Sequence, residues 1–419
     1  MTDSNRRPGA AAAGAPDGGV AGGRGGRDLR ILFTVQGLRA LLYGFGSVLI
    51  GSALAASGMS GFRVTLVIAS MLAGFALASV AIGTRADRWG RRRTYAGLFV
   101  VMAAAGTVFA LTTWPPALVI AALTGTVSVE ANESGPITSL EQAMIPHAAL
   151  RGAGRTRAFA RYNFVAYAAG SLGALAAGGP DLFRRFFPAV PPSQRFLLAY
   201  PLIAIACAAL AARLSASVEA SPRRDGRRPL LDRSRGRVAG LAALFAADAF
   251  GGGFVVNTFV VYWFETRFHT SADVMGVVFF GAGLLQAASS IAAGWLGSRI
   301  GLLNTMVFTH LPSNLLLMVV PLMPTLPAAV AVLLARFAIS QMDVPARQAY
   351  LASMVDPDER TAAAAYTNTA RYAARPLGQL LGGALLGAAF GAPFVAAGAV
   401  KIAYDLTLLR TFRRVRLHE

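Results

Sequence analysis

Gly83-Thr84-Arg85-Ala86-Asp87-Arg88-Trp89-Gly90-Arg91-Arg92-Arg93-Thr94 ends one long apolar segment and precedes another. Five arginines, one aspartate and two glycines crowd into a stretch too short to fold as a domain. Glycine permits a tight turn, and arginine clustered beside an apolar run fixes which end of a membrane helix stays inside. The stretch therefore reads as a charged hairpin between two membrane-spanning helices. A soluble basic turn would not be flanked on both sides by roughly 20 apolar residues, the length that crosses a bilayer.

Composition points the same way. The chain has 419 residues, 55% of them hydrophobic and only 14% charged, against about 25% charged in a soluble domain. A net charge of +19 could signal a nucleic-acid partner. Here the arginines sit in short loops between apolar runs, so orientation in a bilayer accounts for them and no nucleic acid is expected. Of the 39 basic residues only Lys401 is a lysine, and the tails are rich in Ala, Gly and Pro, the bias of a GC-rich bacterial genome. The single cysteine, Cys207, lies in an apolar run and leaves no disulfide framework. Phosphate-loop, Ser-His-Asp and zinc-ligand spacings are absent, so the expectation is no enzyme, no cofactor and no metal.

Apolar runs fall at 31–56, 62–82, 95–113, 116–140, 158–179, 195–214, 238–263, 273–297, 302–322, 326–346, 360–388 and 391–410, twelve candidate spans. Arginine concentrates in the N-terminal tail and in 83–93, 147–157, 213–237 and 410–416, which all share one side. The opposite loops hold only Arg63, Arg184, Arg185, Arg195 and Arg267. Both termini are accordingly expected in the cytoplasm of a bacterial plasma membrane. Residues 1–28 lack an apolar core and read as a disordered cytoplasmic tail without a cleaved signal. The expected division is a six-helix bundle over 29–214, a basic cytoplasmic linker over 215–237 that is solvated and attracted to anionic headgroups, a second six-helix bundle over 238–410, and a short tail over 411–419.

An internal repeat supports the two bundles. Arg161-Tyr162-Asn163 through Leu172-Gly173 aligns without gaps on Tyr366-Thr367-Asn368 through Leu377-Gly378. Gly83, Asp87, Arg88 and Gly90 find an echo in Gly294, Ser298, Arg299 and Gly301, Arg39 and Gly44 lie over Asp248 and Gly253, and Pro136 lies over Pro345. All four alignments need an offset between 205 and 211 residues, close to half the chain.

Gly83, Asp87-Arg88 and Gly90-Arg91-Arg92 resemble the loop between spans two and three of the major facilitator superfamily, and the resemblance extends over the twelve spans and the basic central loop. It implies an all-helical fold of two six-helix bundles rocking about a central cavity lined by spans 1, 2, 4, 5, 7, 8, 10 and 11. It also implies that the hairpin latches the cytoplasmic side. Asp87 would meet the start of span 11, while Arg88, Arg91 and Arg92 meet acids at the end of span 4, and Gly83 and Gly90 allow close approach. The second hairpin departs from the pattern, with Ser298 for the aspartate and Leu302 and Leu303 for the arginines.

Ionisable residues near span centres cost several kcal/mol unless paired or wetted, so each marks a candidate site. Counting inward from span ends gives Arg39, Glu130, Glu133, Asp248, Arg336, Asp343, Arg371, Arg375, Lys401 and Asp405, five of each sign. Glu130 and Glu133, three apart with Asn132 beside them, are expected on one helix face. Two carboxylates in a low-dielectric cavity cannot both ionise cheaply, which suits them to carry a proton. Asp343, just before Pro345, and Asp248 are further proton-coupling candidates. Arg39 and Asp248 could pair across the pseudo-twofold or find separate partners within each bundle. Glu141 and Arg347 are placed at the cytoplasmic mouth, Lys401 and Asp405 as an i, i+4 pair, and His310 as a polar contact. Arg39, Asn132, Asn163, Asn257, Arg336, Asn368, Arg371 and Arg375 complete the substrate-cavity candidates. The expected function is secondary active transport of a small organic solute, as proton-coupled efflux by a monomer in the lipid bilayer. Import of an anionic metabolite held by Arg39, Arg371 and Arg375, and a non-transporting membrane sensor, are the alternatives.

Overall fold

The computed structural model describes residues 24–130, 135–148, 153–189, 191–219, 234–355 and 359–413, and the regular structure among them is entirely helical. The first repeat supplies α1 (Arg24–Ala56), α2 (Gly61–Trp89), α3 (Arg91–Leu111), α4 (Pro115–Leu123), α5 (Pro136–Ala148), α6 (Ala153–Ala176), α7 (Gly179–Phe186) and α8 (Ala199–Ala212). The second supplies α9 (Arg235–Gly253), α10 (Asn257–Phe268), α11 (Ala272–Ile300), α12 (Leu302–Val319), α13 (Leu326–Ile339), α14 (Asp343–Met354), α15 (Arg360–Leu385) and α16 (Ala392–Phe412). Among the described residues, nine helical segments are long and apolar enough to cross a membrane, two of them joining α9 to α10 and α13 to α14. Large apolar side chains such as Ile120, Leu202, Ile205 and Ile291 stand exposed, which water would penalise and acyl chains accommodate.

Three runs expected to be continuous are broken. The 116–140 run divides between α4 and α5, 238–263 between α9 and α10, and 326–346 between α13 and α14. Pro136 opens α5 and Pro345 lies in the first turn of α14, positions where a missing N–H forfeits no helical bond. The prolines start new helices here; they do not bend continuous ones. The expected tail boundary also shifts. Helix α1 begins at Arg24, and buried Asp28 accepts bonds from Ser215 N at 3.0 Å and from the hydroxyls of Ser215 and Ser217.

The repeat reappears as packing. In the first half α1 crosses α6 where Gly44 lies against the Gly170 carbonyl and Gly173 against the Leu41 carbonyl. In the second half α9 crosses α15 where Gly253 lies against the Arg375 carbonyl and Gly378 against the Phe250 carbonyl. These are the glycines that the sequence aligns, and a Cβ at any of them would strike backbone, so both crossings require their absence. The two hairpins correspond as well: α2 turns into α3 at Gly90 (φ 86°) and α11 into α12 at Gly301 (φ 84°), a conformation that favours glycine.

The two sets of helices meet tightly at the end away from these hairpins. Thr258 N and Oγ1 reach the Val129 carbonyl at 3.1 and 3.0 Å, and Oγ1 also reaches the Ser47 carbonyl at 3.1 Å. Helix α2 packs on α15 at Thr65 and Gly383, and α6 on α11 at Ser171 and Gly283. Towards the hairpins α2 and α15 separate, and a Cβ placed on Gly83 would meet nothing within 4 Å. The interior is sealed at one face and open at the hairpin face.

Candidate functional site

Between the two sets of helices lies a cavity of 2290 Å³, reached past Gly83, Thr84 and Arg88 of α2 and Ala362 and Ala365 of α15. Its wall carries Arg39, Glu130, Asn163, Asp248, Asn257 and Arg336, together with Asp343, Asn368, Arg371 and Arg375, so the described interior candidates converge on one space. Asn132 and Glu133 lie outside the described residues. Glu130 is described and lies in a bend after α4. Its carboxylate accepts from Arg375 Nη2 at 2.8 Å, a bond that joins the two repeats across the cavity.

Arg39 and Asp248 do not meet. Arg39 is buried in α1 and donates from Nη2 to Glu141 Oε2 of α5 at 2.7 Å, with Gln36 and Tyr162 completing its surroundings. Glu141, expected at the mouth, is wholly buried and also accepts from the Tyr95 hydroxyl at 2.7 Å and from the Tyr162 hydroxyl. Asp248 on α9 accepts from Lys401 Nζ at 2.7 Å and from Arg347 Nη1 at 3.2 Å, with His310 Nε2 at 3.6 Å. Arg347 likewise lies buried, not at the mouth, and bridges on to Asp343 at 3.3 Å. Lys401 turns to Asp248, so the expected i, i+4 pair does not form, and Asp405 bonds His310 Nδ1 at 2.9 Å and Asn314 Nδ2 at 3.1 Å.

Each repeat therefore ties its first span to its fourth by one buried ion pair with the signs exchanged: Arg39 to Glu141, and Asp248 to Arg347. The signal is present in the sequence, since Glu141 and Arg347 lie 206 residues apart, within the repeat offset. Buried charges of this kind persist because each has a partner and further hydrogen bonds.

The arginine-rich hairpin is fastened to α5, to the end of α8 and to the central linker. Arg91 Nη1 donates to the Ala143 carbonyl of α5 at 3.2 Å and Arg92 Nη2 to the Ala212 carbonyl at 3.2 Å. An acid of the central linker also reaches the hairpin: Glu219 Oε2 accepts from Arg91 N at 2.7 Å and Oε1 from Arg92 N at 3.3 Å. A carboxylate there satisfies orphan amides and the helix dipole at the start of α3. The first residues of the linker are thus fastened to the hairpin and not simply solvated. Gly83 and Arg88 line the mouth, Gly90 makes the turn, and the Asp87 side chain lies outside the described part of the structure.

The sealed face has its own polar contacts, which reading by span missed because Glu265 falls just beyond the 238–263 run. Ser52 of α1 donates to Glu265 of α10. Asp181 of α7 accepts from Ala272 N at 3.2 Å, and Arg185 reaches Asp273 at 2.5 Å, so the short α7 clasps the start of α11.

The sequence matches the Major Facilitator Superfamily over residues 32–378, with a second match over 241–418. The chain belongs to that superfamily, and it is a multi-pass membrane transporter. It is 26% identical to the uncharacterized membrane protein YJR124C of Saccharomyces cerevisiae over 422 residues, 92% of this chain and 94% of that one. Its fold resembles the nucleoside transporter NupG (TM-score 0.72, 13% identity, 93% of this chain and 100% of that one). It also resembles the inward open conformation of the xylose transporter XylE from E. coli (TM-score 0.68, 15% identity, 93% and 97%).

Proposed function

We propose that the protein is a proton-coupled secondary transporter that moves a small organic solute by alternating access, with the Glu130–Arg375 pair as the coupling element. The observation behind this reading is the position of that pair. It is a carboxylate–guanidinium bond between the two repeats, inside the shared cavity, with its side chains 30% and 15% exposed. Protonating Glu130 removes the charge that holds α15 to the passage between α4 and α5, so proton binding acts directly on the geometry of the two halves. The six-plus-six division about the linker at 215–237, the bacterial plasma membrane and the cytoplasmic termini belong to the same proposal, supported by the loop arginines. On that topology the cavity opens to the cytoplasm, the side from which an exported solute loads, which supports efflux as the direction.

The test is flux driven by a pH jump against equilibrium exchange in proteoliposomes, for Glu130→Gln, Glu133→Gln and Asp343→Asn. Glu130→Gln should lose the driven flux and keep exchange, because a permanently neutral side chain cannot alternate between charged and uncharged forms. Wild-type driven flux in all three variants would exclude coupling through these acids.

A further inference from the structure

The cavity wall is unbalanced in charge. Among the described residues it carries seven arginines and lysines against three carboxylates, Glu130, Asp248 and Asp343. Most of the cations are accounted for. Arg39 has Glu141, Arg375 has Glu130, and Arg347 and Lys401 share Asp248, with Asp343 also on Arg347. Arg88 stands exposed at the mouth, where water serves it.

Arg336 of α13 and Arg371 of α15 remain. Neither reaches a carboxylate within ion-pair distance or a hydrogen-bond acceptor among the described residues, and the Nε of each is shut off from solvent without a partner. Arg336 stacks by its own Phe337, 5.1 Å from guanidinium carbon to ring centroid, and lies in the field of Glu130. Arg371 lies in the combined field of Arg347, Asp248 and Arg375. Both side chains are half-buried on the cavity wall, and a guanidinium does not shed its charge at any pH the protein meets, so each presents a fixed positive charge there. An unsatisfied charged donor is costly. Both line the one cavity, where a cargo can bring a counter-charge to them.

Building on the transport reading above, we infer that the solute is an organic anion whose negative charge is met by Arg336 and Arg371 of the cavity wall. Of the three arginines that the sequence offers for an anion only Arg371 stays in the set, joined by Arg336, because Arg39 is occupied by Glu141 inside the first half and Arg375 by Glu130. A carboxylate and a phosphate ester share the required chemistry, since either accepts two hydrogen bonds from a planar guanidinium.

The experiment uses the purified full chain and matched probes: benzoate against benzamide, succinate against succinamide, and glucose 6-phosphate against glucose. Binding is read as a shift in thermal midpoint in detergent and, separately, as exchange of labelled probe in proteoliposomes. At least one acid should bind and exchange while its neutral partner does neither, and the member that does so separates carboxylate from phosphate. Arg336→Gln and Arg371→Gln should each weaken acid binding about 10- to 100-fold, the loss of one charge-assisted bond. Arg336→Lys and Arg371→Lys keep the charge and serve where a glutamine variant fails to fold; they should lose less. Neutral probes binding as well as acids, no acid binding at all, or unchanged affinity in both glutamine variants would overturn the anion site. Acid binding without exchange of any probe would retain that site and remove the transport reading instead.

Discussion

Arg375 Nη2 stands 2.8 Å from Glu130 Oε1, and this bond links α15 to the broken fourth span on the other side of the cavity. Neither group is fully dry, so the attraction is weaker than that of a sealed pair and can be made and broken. The Arg39–Glu141 and Asp248–Arg347 pairs are buried and bind elements of the same half. The molecule thus separates charges that hold a half together from a charge pair that spans both.

Exchanging the spanning charges tests that separation. Glu130→Arg alone places like charges opposite Arg375 and should abolish transport. Glu130→Arg combined with Arg375→Glu restores the attraction with reversed sign and should recover part of it. Equal loss in the single and double variants, measured as solute exchange, would show that the pair is not the connection between halves.

The Arg39–Glu141 pair is predicted to be structural. Glu141→Ala leaves a buried guanidinium without its carboxylate and should destabilise the protein by roughly 3–5 kcal/mol. Arg39→Met with Glu141→Leu removes both charges and should cost far less. Thermal midpoints of the purified variants give the order; a double variant less stable than the single one would contradict it.

Contact at the sealed face can be locked. A Cβ on Gly383 would press on the Thr65 side chain, so cysteines at both positions lie close enough to join once the backbones yield slightly. Cys207 is the single native cysteine and is buried, which leaves little competing chemistry. Thr65→Cys with Gly383→Cys should cross-link under mild oxidation, stop transport, and regain it on reduction. Full activity in the oxidised, cross-linked protein would mean that this face need not open.

At the hairpin, Asp87→Asn and Arg91→Ala should leave insertion intact and slow the conformational cycle. Glu219→Ala removes the acid from the start of α3 and should cost about 0.5–2 kcal/mol, the value of a helix cap. Cysteine labelling from each side of the membrane reads the balance of open states. Unchanged labelling ratios in both Asp87→Asn and Arg91→Ala would remove the hairpin from the gate.

Much of the architecture was legible in the chain itself. Apolar length marked the spans, arginine spacing marked the hairpin, and an offset near half the chain brought Gly44 over Gly253 and Gly173 over Gly378. Those features depend on local composition and backbone permission, which sequence carries directly. Pairing was different. Glu141 and Arg347 were assigned to the mouth by counting from span ends along continuous helices, yet α4 and α13 stop and α5 and α14 restart with a new phase and depth. That break carries both residues into the interior, gives Arg39 and Asp248 their partners, and sends Lys401 away from Asp405. The partner of each buried charge, and the absence of one for Arg336 and Arg371 among the described residues, depend on how helices distant in sequence are rotated against one another, and only the tertiary structure decided that.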